Sequence, residues 1–162
     1  MKLVDANIFL YAVNEDAPLY GKAKSWLEAA LSGTEAIAFE WTVLLAFLRL
    51  STRPAVFPRP LRLEDAFALI DSWLSQPCAV VVDAGERHLA VLNDLLAPIG
   101  VAGNLIQDAH LAAVAIENGA ELCSCDGDFS RFAAFGGPTR WPDSGSNGSH
   151  GATGPVPPAL ER

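Results

Sequence analysis

A chain of 162 residues, about half of them apolar, suits one domain with a real hydrophobic core. Its net charge of −8 argues against a non-specific nucleic-acid coat, which would be basic throughout. Charged residues interrupt every apolar run before it reaches bilayer length, and three cysteines form no disulfide framework.

In chain order, MKLVDAN opens directly into a strand at Lys2 to Val4 rather than into a signal peptide, with Asp5 at its carboxyl end. Ala6 to Val13 reads as a short helix. Pro18 opens the next, in which Ala23, Trp26, Leu27, Ala30 and Leu31 repeat at three and four until Ser32-Gly33. Ala36 to Phe39 is a second apolar strand, ended by Glu40, and Thr42 to Ser51 continues as an apolar helix. Pro54, Pro58 and Pro60 then impose an exposed loop. Glu64 to Ser75 is an amphipathic helix carrying Phe67, Leu69, Ile70, Trp73 and Leu74. Ala79 to Val82 reads as a buried parallel strand, followed by a helix around Arg87 to Leu96.

The stretch NLIQDAHLAAVAIENGAELCSCDGDF follows. Asn104 is placed to cap a helix and Gln107 to reach back to it, while Gly119 supplies the stop. Leu105, Ala112, Ala115 and Ile116 share one face, with Asp108 inside that stripe. A strand from Glu121 to Cys125 then delivers Asp126 and Asp128. Asp-Gly-Asp is also an ordinary turn, so this stretch by itself leaves function open. From Gly136 to Arg162, six glycines and five prolines leave too little apolar surface to fold alone. Residues 1–141 therefore read as the domain, with Thr139 to Trp141 as a possible edge strand, and residues 142–162 as a disordered tail.

Strands alternating with helices predict an α/β domain whose mostly parallel sheet carries its site beyond the strand carboxyl ends. Asp5, Glu40, Asp83 and Asp126 stand at such ends, and Asp108 lies in the first turn of a helix. If Asp5, Glu40, Asp108 and Asp126 converge, two charges about 5 Å apart repel by roughly 3 kcal/mol at an effective dielectric near 20. A divalent cation relieves that repulsion, and oxygen ligands favour Mg²⁺ or Mn²⁺ over zinc. From Trp41 to Leu63 there is no acid, while Arg49, Arg53, Arg59 and Arg62 all fall there. That segment is either a local hold on a phosphate chain or a solvated helix end with its loop. Asp83 reads as a helix cap, and Trp26, Trp41 and Trp73 as packing. His88 has no evident partner, and His110 reads as a helix-surface or pocket-rim residue.

Asp5-Ala6-Asn7 after the first strand, Asn104-Leu-Ile-Gln-Asp108 opening a helix, and Asp126-Gly-Asp128-Phe129 resemble the motifs of PIN-domain nucleases. WTVLLAFLRLST and LCSCDGDFSRF are similar to the VapC-type toxins of bacterial toxin–antitoxin pairs, over about Met1 to Trp141. The resemblance implies a three-layer α/β/α fold with a short, mostly parallel central sheet. It also implies Mg²⁺-dependent (or Mn²⁺-dependent) endoribonuclease activity in the cytoplasm, a homodimer, and a small cognate antitoxin whose tail enters the acidic groove. Carried over by position, Asp5 and Asp108 are the principal metal ligands and Asp126 a third, direct or through water. Asp128 assists, and Asn7 holds Asp5 or substrate. Arg49 and Arg53, taken from the acid-free segment and not from the family, are the candidate substrate-binding arginines. The family's second acid usually lies inside the helix read here as LLAFLRL, at the position of Phe47. Glu40, about two turns earlier, is the candidate to replace it. An alternative on the same fold is a protein with an incomplete acidic set that binds RNA or a protein partner without cutting.

Overall fold

The computed structural model describes residues 1–100, 103, 105–126, 129, 131 and 132. Their order is β1 (Lys2–Val4), α1 (Ala6–Val13), α2 (Tyr20–Leu31), β2 (Ile37–Phe39), α3 (Trp41–Ser51), α4 (Leu63–Leu74), β3 (Ala79–Val81), α5 (His88–Leu96), α6 (Leu105–Glu117) and β4 (Glu121–Cys123). The expected cap at Asn104, the acid Asp128, the strand at Thr139 to Trp141 and the tail lie outside the described residues.

The four strands are parallel in the order β3-β2-β1-β4. Lys2 and Leu3 pair with Ile37 and Ala38 on one side, and with Glu121 and Leu122 on the other. Parallel neighbours need crossovers, and crossovers are right-handed, so the direction of travel decides which face each helix covers. The chain steps outward from β1 to β2 to β3, then returns past β1 to β4. That reversal sends α5 and α6 to the face opposite α1 to α4 and gives the three-layer α/β/α fold. It also creates a topological switch point between β1 and β4, where open α/β sheets place ligands.

An aromatic cluster fills the layer over α1 and α3. Phe9 stacks on Phe39 at 5.5 Å and on Trp73 at 4.7 Å, and Phe47 meets Trp73 edge-on at 5.0 Å. Phe47, the position where the family's second acid was expected, is fully buried in this cluster. At the end of α6, Gly119 has φ of 60°, the left-handed turn that stops the helix.

Five readings of the sequence need correction. β3 is an edge strand, and Val80 and Val81 remain 41% and 45% exposed. With one strand neighbour instead of two, an apolar run does not become a buried centre. Trp41 is 48% exposed at the start of α3, so only Trp73 of the three tryptophans is buried. Ile116, like Phe67, faces outward, while Leu105, Ala112 and Ala115 of its predicted stripe are buried. Asp83 does not cap α5, which begins after Arg87 with no side-chain cap, and the Asp83 carbonyl accepts from Asn118 Nδ2 at 3.2 Å. β4 also ends at Cys123, two residues earlier than expected, which leaves Ser124 and Cys125 in the connection that follows.

Candidate active site

The site begins where β1 stops. Asp5 caps α1 with Oδ1, which accepts from the Ala6 amide at 2.6 Å, and a carboxylate at a helix N-terminus is favoured by the helix dipole. Oδ2 accepts twice, from Asn7 Nδ2 at 2.7 Å and from the Ser124 hydroxyl at 2.7 Å. The switch point supplies both partners: Asn7 from the first turn of α1, and Ser124 one residue past β4. Asn7 binds back through Oδ1 to the Cys125 amide at 3.1 Å, and Ser124 Oγ accepts from the Asp126 amide at 2.9 Å. Two strand ends 119 residues apart are thus sewn together around one carboxylate.

Burial raises the Asp5 pKa to about 6, against the hydrogen bonds from Ser124 and Ala6 that lower it. The charges of Asp108 and Asp126 raise it further. Two of the expected acids therefore act on a third, Asp5, from across the switch point, with Asp108 half-buried on α6 and Asp126 exposed after β4. Burial and the Asp126 charge also push the Tyr11 phenol up, and Cys125 is pushed up to about 12 by burial and then by Asp5.

Glu40 lies on the neighbouring strand. Carrying the β1–β2 register two residues further sets it level with Asp5. It is 5% exposed and caps α3: Oε2 accepts from the Thr42 amide at 2.7 Å, the Val43 amide at 3.3 Å and the Thr42 hydroxyl. Its other oxygen, Oε1, faces His110 Nε2 at 3.7 Å. Glu40 is thus neither a surface residue nor a partner of Asp5 in any direct hydrogen bond among the described residues.

Behind His110 runs a series that sequence reading missed. His110 Nδ1 lies 2.9 Å from His88 Nε2, and His88 Nδ1 lies 2.9 Å from Glu117 Oε2. Glu117 also accepts from the Gly85 amide at 3.1 Å. A Cβ at residue 85 would stand 2.8 Å from Glu117 Oε1, so a side chain there would push the Glu117 carboxylate aside. Partial burial works to raise the Glu117 pKa, but the bonds from His88, Gly85 and Arg87 lower it on balance.

The arginines divide. Arg59 pairs with Asp16 at 3.1 Å and Glu15 at 3.4 Å, and Arg62 pairs with Glu64, so the rest of the chain supplies the acids their own segment lacks. Arg49, in the last turn of α3, and Arg53, just after it, are exposed.

Asp5, Asp108, Asp126 and Glu40 offer oxygen only, and the repulsion at Asp5 is the kind a hard divalent cation relieves. In chemistry the donors fit magnesium or manganese. Among the described residues no three such groups are gathered closely enough to hold an ion as they stand.

Comparison with known proteins bears on the family and the fold. A family model described as PIN domain matches residues 2–134. Ribonuclease VapC37 of Mycobacterium tuberculosis is 46% identical over 132 residues, 82% of this chain and 92% of the relative. Ribonuclease VapC33 of the same organism is 38% identical over 143 residues, 88% of this chain and 97% of the relative. Among solved structures, the sarcin-ricin loop cleaving toxin VapC20 of Mycobacterium tuberculosis superposes with a TM-score of 0.59 at 21% identity, over 88% of this chain and all of that one. VapBC2 of Rickettsia felis, solved on a DNA fragment from its promoter, gives 0.58 at 22% identity over 81% of this chain and 92% of that one. At such identities the structures speak for the fold.

Proposed function

The chain belongs to the PIN-domain family, and on that premise we propose that it is an endoribonuclease, the toxin of a toxin–antitoxin pair, hydrolysing RNA phosphodiester bonds at the β1–β4 switch point. One observation carries the reading: the Asp5 carboxylate is held at the switch point by Asn7 of α1 and Ser124 past β4, with Asp108 and Asp126 near enough for their charges to act on it. Ordinary surface acids avoid such an arrangement, and functional sites collect it.

Asp5, Asp108 and Asp126 would hold the divalent cation, with Asp128 assisting. When bound, that cation supplies Lewis acidity and neutralises charge growing on the phosphate. The protein's own residues do the rest. Asn7 and Ser124 fix the Asp5 rotamer through Oδ2, while Oδ1 rests on the α1 N-terminus. Glu40 adds a second strand-end carboxylate beside them, and Arg49 and Arg53 steer the phosphate chain of the RNA. The same reading brings a cognate small antitoxin, a homodimer and a cytoplasmic setting. No described helix is long and apolar enough to cross a membrane.

A second reading, a PIN-fold protein that holds RNA or a protein partner without cutting, is favoured by Phe47, an apolar core residue where the family carries an acid. Incubating structured RNAs with the protein and Mg²⁺, with and without chelator, separates the two. Cutting that stops with chelator supports the nuclease. Retention of RNA with only chelator-insensitive traces of cutting supports the binder.

A further inference from the structure

We infer that Glu117 and His88 are positioning residues for the candidate site, acting through His110 on Glu40. The inference rests on the reading above in that it takes Glu40 as a member of the site.

The argument begins with an orphan. His110 Nε2 is inaccessible to solvent and has no hydrogen-bond partner among the described residues, yet it is aimed at Glu40 Oε1, on a carboxylate itself nearly wholly buried. At 3.7 Å the two are too far apart for a direct bond, so something other than that contact must set the ring. His110 Nδ1 is held by His88, whose other nitrogen is held by Glu117, which is anchored in turn by the Gly85 amide. A carboxylate only accepts, so His88 Nδ1 carries the hydrogen of the outer bond. The inner bond needs one more hydrogen between the two rings. Both imidazoles are thereby locked in orientation, their planes crossed at 71°. The locked edge of His110 closes one side of the Glu40 carboxylate, while Thr42 and Val43 close the other.

The series joins three stretches of chain: the loop and helix start at Gly85 to His88, the α6 residues His110 and Glu117, and the strand end at Glu40. A surface ion pair needs none of this enclosure. In metal sites, outer partners that orient an inner group typically change affinity or activity by about tenfold to a hundredfold when removed.

The test compares Glu117→Leu with Glu117→Gln in the full chain. Glutamine still offers a carbonyl to His88 Nδ1, whereas leucine fills similar space and accepts nothing. The expected result is kcat for RNA cleavage down roughly tenfold in E117L, with KM within about twofold and E117Q close to wild type. Two NMR readouts need no activity. Wild type should show a downfield ring N–H proton from the inner bond, lost in His88→Phe, and the Glu40 carboxyl ¹³C signal should move in both E117L and H88F. Equal impairment of E117L and E117Q would assign the effect to lost charge and overturn the inference. So would a wild-type spectrum lacking the downfield proton, or a Glu40 signal unmoved in both variants. Full activity in Glu40→Gln with the NMR results intact would instead remove Glu40 from the site, and absence of any cleavage by wild type would remove the nuclease reading.

Discussion

The Ser124 hydroxyl donates to Asp5 Oδ2 at 2.7 Å, across the seam between β1 and the end of β4. With the bonds from Asn7 and Ala6 it holds the carboxylate on which the neighbouring acids act, and it opposes the pKa rise that burial imposes. Ser124→Ala should therefore push the Asp5 pKa above about 6 and slow cleavage more in mildly acidic than in alkaline buffer. Loss of a hydrogen bond to a charged group also costs stability by about 1.5–3 kcal/mol, reduced where water replaces the hydroxyl. Cleavage–pH profiles with urea unfolding check both parts.

Asp5 makes the metal-free fold less stable as pH rises. Its folded pKa of about 6 lies above the ordinary 3.8, so the folded state holds the proton more tightly. Below 3.8 the group is protonated in both states and costs nothing; the penalty grows between 3.8 and about 6 and is complete above that. The shift corresponds to on the order of 3 kcal/mol. Asp5→Asn removes this charge but disturbs the bonds from Asn7 and Ser124, for a net gain of about 1 kcal/mol at neutral pH. That gain should vanish near pH 4, as read by chemical denaturation across pH.

Magnesium or manganese should raise the unfolding midpoint, since a ligand binding only the folded state stabilises it by mass action. The increase should shrink as pH falls through about 6, where protons compete for Asp5, and should be lost in Asp108→Asn. Thermal scans with metal, with chelator and at two pH values test this.

The first strand, its terminal aspartate and the helix carrying Asp108 were legible because apolar period and stop signals agree there. Gly119 is the example: its left-handed φ ends the helix where a glycine was read as a stop. Ser124 was not legible, because a serine after a strand looks like any turn residue until β4 is known to lie beside β1. Nor was the His88–His110 pair, whose members sit on different helices and meet only through the packing of α5 on α6. β3 was misread because an apolar run states what can be buried, while edge or centre is decided by the order of strands. Trp41 was misread because helical spacing in the first turn of α3 does not tell which face the cap presents.

Phe47 tests whether the missing helical acid can be restored. Phe47→Glu would place a carboxylate among Phe9 and Trp73, with no partner there to receive it. The expected outcome is a loss of about 3–5 kcal/mol or failure to fold, with no gain in cleavage. Phe47→Leu should cost less than Phe47→Ala, as seen by chemical denaturation.

Arg49 and Arg53 should matter to binding more than to chemistry. Replacing both by alanine should raise KM for RNA while leaving kcat near wild type. It should also flatten the dependence of log K on log salt by roughly one to two units. A filter-binding titration at several salt concentrations measures this.

The most direct measurement is cleavage of a structured RNA in Mg²⁺ by wild type, Asp5→Asn and Asp108→Asn, each shown to be folded. Cutting by wild type alone is the predicted result, with both variants still folded and RNA still retained. Cutting by both variants at the wild-type rate would contradict the account, because the carboxylates gathered at the β1–β4 switch point would then play no part in the reaction.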